Sequence, residues 1–307
     1  MNTKFNFKNL LIIFFQVLGG MLAFVVSLVI SNLIFPLSPA IMDAAKTAAG
    51  FLSTPKAFLF SAVANAIILV WAARRSSFKG LAMIGQLFVL SFGAQVFMTQ
   101  IETGYFISAF PLLHDNFQLY NLVLRGLITS LLFSMLVTLI CGGFSKRPRP
   151  QAAFYVSAAN AVKQGVWLAA VYVVLYILAG YFIAWQVKDL RLFYGGPLEL
   201  NGFFDQWGLT LMARPEFPVF QYFRGVLWML CLVPLFMGFS GKRVELTVLS
   251  ALALALLPTA QLAFANPLMP AAVSFGHFWE VSISTGIFGA LCAWFVPQAA
   301  QPGNSSN

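Results

Sequence analysis

Eight stretches of this chain are long and apolar enough to cross a bilayer, near residues 9–35, 57–73, 80–101, 119–142, 165–187, 218–239, 245–265 and 272–296. About 20 apolar residues span a hydrocarbon core as a helix, and inside it every backbone N–H and C=O must find its partner within the protein. The expected fold is therefore all-α: a polytopic integral membrane helix bundle of about eight transmembrane helices. The second stretch is the shortest, and whether it crosses fully stays open. The first follows Lys4 and Lys8 and exceeds the roughly 7–15 apolar residues of a secretory signal core, so it reads as an uncleaved span.

Charge sets the expected orientation. Hydrophobic residues make up 60% of the chain and charged residues only 9%, far below the roughly 25% of a soluble domain. The net charge of +9 would suggest a nucleic-acid partner in a soluble protein. Here the basic residues fall mostly in short connections, so topology accounts for them and nucleic acid is set aside. Eleven lie on one side: Lys4, Lys8, Arg74, Arg75, Lys79, Lys146, Arg147, Arg149, Lys163, Lys242 and Arg243, against the single acid Glu245. The other side holds six basic residues and seven acids from Asp43 to Glu216. The Lys/Arg excess marks the cytoplasmic side, so the expectation is a plasma-membrane protein with both termini cytoplasmic.

Loop lengths follow a rhythm. On the outer side they run long (36–56), short (102–118), long (188–217), short (266–271), and each half has a tight basic turn between its second and third spans. Ala94-Gln95 in the third span is echoed by Ala260-Gln261 in the seventh. One reading is a parallel repeat of four spans each, with halves 9–142 and 165–297 inside a single domain. The other is a chance rhythm. Residues 40–52 suit a short interfacial helix with Ile41, Ala45, Ala48 and Phe51 to one side. The loop 188–217 mixes charges with Phe193, Tyr194, Phe203, Phe204 and Trp207, and its Gly195-Gly196-Pro197 demands a turn. It is either a cap over the outer mouth or an interfacial aromatic belt. The polar tail, 298–307, reads as a disordered cytoplasmic segment.

Ionisable residues inside spans cost at least about 2–3 kcal/mol and usually face a bundle interior. His277 and Glu280 sit three apart in the last span and share a helix face, which Ser274 and Ser284 extend by a turn each way. Arg125, Arg224 and Glu102 press into the outer ends of the fourth, sixth and third spans. All five charges belong to the outer half, with Glu102–Arg125 and Glu280–Arg224 as natural pairings, or the partners exchanged. The candidate site is thus Glu102, Arg125, Arg224, His277, Glu280 and Ser284 beneath the 188–217 loop. The alternative is that these groups only pin helix register and bond neighbouring helices.

Recognisable catalytic signatures are missing. There is no HExxH, no second histidine near His277, no P-loop and no GxSxG, and Asp occurs only outside the spans. Cys141, Cys231 and Cys292 form no CxxC pair and read as small core residues. No cofactor and no metal is expected. Three functions fit: a transporter or permease component for a small polar or amphipathic solute, an intramembrane enzyme acting on a lipid-linked substrate, or a membrane scaffold. The expected partners are membrane lipids and an unidentified solute or lipid-linked ligand, with self-association or a partner membrane subunit as further options.

Overall fold

The computed structural model describes residues 7–113 and 116–297, so the tail 298–307 and His114 lie outside the described residues. Among the described residues, seven helical crossings are long and apolar enough to span a membrane. They are α1 (Phe7–Ile34), α3 (Thr54–Arg74), α4 (Gly80–Phe92) continued through a π-turn into α5 (Met98–Tyr105), α6 (Asn116–Ile140), α7 (Ala158–Phe182), α10 (Phe217–Gly238) and α12 (Ala271–Phe295). The chain is a multi-pass helical membrane protein.

The stretch expected to span at 245–265 is built differently. Its helix, α11 (Arg243–Leu256), has 14 residues, and a 3-10 turn at Ala260–Ala263 completes the crossing. Pro258 is the cause: it has no N–H to return to the Leu254 carbonyl. That carbonyl accepts instead from Thr285 Oγ1 of α12 at 2.6 Å. Ser282 Oγ reaches the next one, Ala255 O, at 3.1 Å. Two hydroxyls of α12 therefore satisfy the backbone that the proline leaves open.

The crossings close into a ring in which α1 touches α3, α3 touches α11, α11 touches α12, and α12 touches α7. From α7 the ring continues through α10 and α4 to α6, which packs back on α1. On the face rich in basic residues the turns after α3 and α10 meet in an antiparallel bridge, Ser77 N donating to Gly238 O at 2.7 Å and Ser240 N to Arg75 O at 2.8 Å. Several basic side chains there bond carbonyls rather than acids. Arg149 donates to Ala73 O at 3.2 Å and Cys141 O at 2.9 Å, and Arg243 donates to Trp294 O near the end of α12. Cations at helix C-termini answer the carbonyls left unpaired there. Above this face Leu87, Leu90, Leu232, Leu235, Phe236 and Phe239 are fully buried, which makes this half of the bundle a packed apolar core.

The opposite face carries two short covers. The expected interfacial helix is α2 (Pro39–Thr47), shorter than 40–52, and Ile41 packs on Phe110 and Leu113. Ala45 is exposed, and Phe51 lies beyond the helix against Phe275 and Phe278. The second cover is α8 (Lys188–Phe193) with α9 (Phe203–Ala213).

α11 and α12 approach each other closely at Gly289. A Cβ at Gly289 would lie 2.5 Å from Ser250 O, a backbone atom that cannot swing aside. Gly289→Ala should force the helices apart at a cost of about 1–3 kcal/mol. Gly208 of α9 has open space around its missing Cβ. There Gly208→Ala should be neutral or stabilising by up to about 1 kcal/mol. Thermal unfolding of both variants in detergent checks the contrast.

Candidate functional site

The last span puts His277 and Glu280 one turn apart, and their side chains bond directly, Nδ1 to Oε2 at 2.8 Å. The other ring nitrogen, Nε2, lies 3.0 Å from the Tyr194 hydroxyl, which enters from the turn after α8. Two proton arrangements satisfy this chain. With a neutral ring, Nδ1–H donates to Glu280 and Nε2 accepts from Tyr194; with a protonated ring, both nitrogens donate. Tyr194 lies outside the spans, and burial pushes its phenol above the ordinary range, with the charges of Glu102 and Glu280 acting in the same sense. It stays protonated and can serve in either arrangement.

Across the same space, Arg224 of α10 clasps Glu102 of α5 with two parallel bonds, Nη1–Oε1 at 2.9 Å and Nη2–Oε2 at 2.8 Å. Such a fork is the strong form of an ion pair. Gln221 Oε1, one turn before Arg224, accepts from Nη1 at 2.9 Å, and Tyr176 of α7 donates to Glu102 at 3.2 Å. The guanidinium also stacks over the rings of Tyr176 and Phe220. Arg224 is 3% exposed and Glu102 24%, so the carboxylate faces the open space and the cation sits behind it.

That space is a cavity of about 640 Å³. Glu102, Tyr176, Tyr194, His277 and Glu280 line it, with Trp207 and Arg214 in the cover. The cover is held by bonds among its own residues. Arg191, buried, donates to the carbonyls of Pro197, Leu198 and Trp185, drawing the loop around itself. Gly195 takes φ +72°, a conformation that suits only glycine here, and it lets Gly196 N return to Arg191 O at 2.7 Å. Trp207 Nε1, in the cavity wall, is buried with no protein acceptor. At the rim Glu216 accepts from the Tyr105 hydroxyl at 2.7 Å, which holds its carboxyl below the ordinary range. This latch is intact above the usual carboxylate pKa and is lost as pH falls through the lowered value.

The structure brings four of the six sequence candidates together and separates two. Glu102, His277 and Glu280 line the cavity with Arg224 behind Glu102; the pairings Glu102–Arg125 and Glu280–Arg224 do not form, and of the exchanged partners only Glu102–Arg224 does. Arg224 takes Glu102, and Glu280 takes His277. Arg125 is elsewhere because its face of α6 turns toward α1: it bonds Asn32, Thr129 Oγ1 meets Ser31 Oγ at 2.7 Å, and Asn121 reaches Pro36 O at 2.8 Å. Ser284 lies one turn below the cavity floor, bonding back to Glu280 O at 2.7 Å. No protein-family model, curated protein or solved structure matches the chain. Its site therefore stands on its own geometry.

Tyr176 and Gln221 are the residues that sequence reasoning missed, whereas Tyr194 and Trp207 were legible only as aromatics of the 188–217 loop. Gln221 carried a signal, since it stands three before Arg224 and shares its helix face. Tyr194 was legible as part of the loop but not as a partner of His277, because only the folded cover brings the two together. Among the described residues, no three His, Cys, Asp or Glu side chains gather closely enough to hold a metal ion.

Proposed function

We propose that this protein is a transporter or permease component of the plasma membrane, with both termini cytoplasmic and the cavity as its outward-facing solute site. The observation that carries this reading is the hydrogen-bonded chain Tyr194–His277–Glu280, which lines the same cavity as Glu102, the carboxylate held by Arg224. Gain or loss of a proton by the His277–Glu280 pair changes the charge presented to a solute, and histidine as a residue type titrates in the physiological range. Glu102, its charge balanced by Arg224, accepts hydrogen bonds from a polar solute. Trp207, which also lines the cavity, has a buried Nε1 donor without a protein acceptor.

The test uses purified protein in liposomes loaded with a pH-sensitive dye and challenged from outside with amines, sugars, carboxylates and amino acids in turn. At least one class should acidify the lumen, more strongly at lower external pH. Glu280→Gln should abolish that pH dependence. Equal pH profiles for the two proteins would end the proton role.

A second reading, an intramembrane enzyme acting on a lipid-linked substrate, is favoured by the cover. Phe204 and Met212 of α9 are each 84% exposed, an apolar surface suited to the membrane interface. A substrate would then enter sideways from the lipid, with His277 and Glu280 as an acid–base pair. Uptake of an intact solute by the liposomes separates the two readings.

A further inference from the structure

Arg125 is left outside the cavity, and its surroundings match those of Glu280. In the first half Gln16 Nε2 of α1 donates to Ile140 O, near the end of α6, at 3.2 Å. In the second half Gln164 Nε2 of α7 donates to Phe295 O, at the end of α12, at 2.7 Å. Eight residues after each glutamine stands an aromatic ring, and seven before each carbonyl a phenylalanine. These also pair alike: Phe24–Phe133 edge-on at 5.3 Å and 66°, Tyr172–Phe288 edge-on at 5.1 Å and 63°. In this register Arg125 falls on Glu280, Asn32 on Gly180 and Thr129 on Ser284. The last pair makes the same bond, Thr129 Oγ1 to Arg125 O at 2.9 Å and Ser284 Oγ to Glu280 O at 2.7 Å. The ring neighbours follow suit, since α1 with α3 and α6 corresponds to α7 with α10 and α12.

We propose that residues 9–142 and 165–297 are parallel repeats, and that Arg125 with Asn32 forms a second ligand site in the first half, of opposite charge to the Glu280 site. Its ligand is a phosphate group. Arg125 stands in a span with no carboxylate within 4 Å among the described residues, although a charge at that depth calls for a counter-charge. Asn32 Oδ1 accepts from Nη2, whereas Nε is buried and donates to nothing. A phosphate supplies the acceptor oxygens and the charge that the guanidinium lacks, in the forked geometry that guanidinium favours. Asn121 Oδ1, one helical turn away, is a buried acceptor without a donor and suits a hydroxyl or ammonium on the same headgroup. Asn32 and the neighbouring Leu33 and Leu124 are exposed, so the site opens on the outer surface of the bundle rather than into the cavity. The proposal does not depend on the transport reading.

The test is thermal unfolding of the full chain in neutral detergent, titrated with phosphatidylglycerol in one arm and inorganic phosphate in the other. Wild type should be stabilised in at least one arm. Arg125→Gln should raise the half-maximal concentration about tenfold or more, which is about 1.4 kcal/mol. Asn32→Ala should raise it less, and the exposed Lys46→Gln not at all. Stabilisation by the lipid alone assigns the phosphate to a headgroup, and stabilisation in both arms admits a free anion. If Arg125→Gln does not fold, Arg125→Lys keeps the charge without the fork and should still weaken the effect. No stabilisation of wild type in either arm, or equal curves for wild type and the Arg125 variant that folds, would overturn the second site.

Discussion

Arg224→Gln should destabilise the protein by about 3–5 kcal/mol, the usual consequence of removing one partner from a buried ion pair. Arg224 is almost wholly enclosed, and its loss would leave Glu102 facing Tyr176 and the Gln221 Oε1 atom with no counter-charge. Glu102→Gln should cost somewhat less, because the carboxylate borders a cavity and the remaining guanidinium keeps its contacts with Gln221, Tyr176 and Phe220. The double variant should recover much of the loss, since two neutral amides carry no uncompensated charge. Equilibrium unfolding in mixed micelles measures all three. Strictly additive losses would mean that the pair contributes nothing as a pair.

Much of the fold was legible because lipid allows so few solutions. Long apolar runs can only be helices, and seven of the eight expected crossings are continuous or nearly so. The exceptions have local causes of different visibility. Pro258 was a visible helix breaker, but that α12 hydroxyls would take up its freed carbonyls depends on which helix lies beside it. The π-turn at Gly93–Phe97 carried no sequence signal. Ala94-Gln95 and Ala260-Gln261, noticed only as an echo, prove to sit at the interruptions of their spans, where Gln261 Nε2 donates to Gln95 O at 3.3 Å.

The site was legible only where spacing alone decides contact. His277 and Glu280 share one helix, so a separation of three residues brings them together. Pairings between helices depend on rotation and neighbour order, which nearly uniform apolar faces do not encode. Arg125 and Arg224 lie at similar depths, yet α10 packs against α4 and α7 while α6 packs against α1 and α4. Both helices touch the span of Glu102, and it is Arg224, on the helix that also packs against α7, that meets Glu102 beside Tyr176.

In the transport reading proposed above, water enters, from the outer side, the cavity that His277 and Glu280 line. The most direct measurement replaces Cys141, Cys231 and Cys292, then introduces Gly180→Cys or Ser284→Cys singly and exposes cells to a small membrane-impermeant cationic thiol reagent. Gly180 lines the cavity, and a Cβ there would lie 3.6 Å from Glu280 Oε1. Ser284 is buried one turn below. Labelling from outside at position 180, with position 284 untouched in an equally folded protein, is the expected result. Labelling at 284 but not 180, or at neither, would contradict the account.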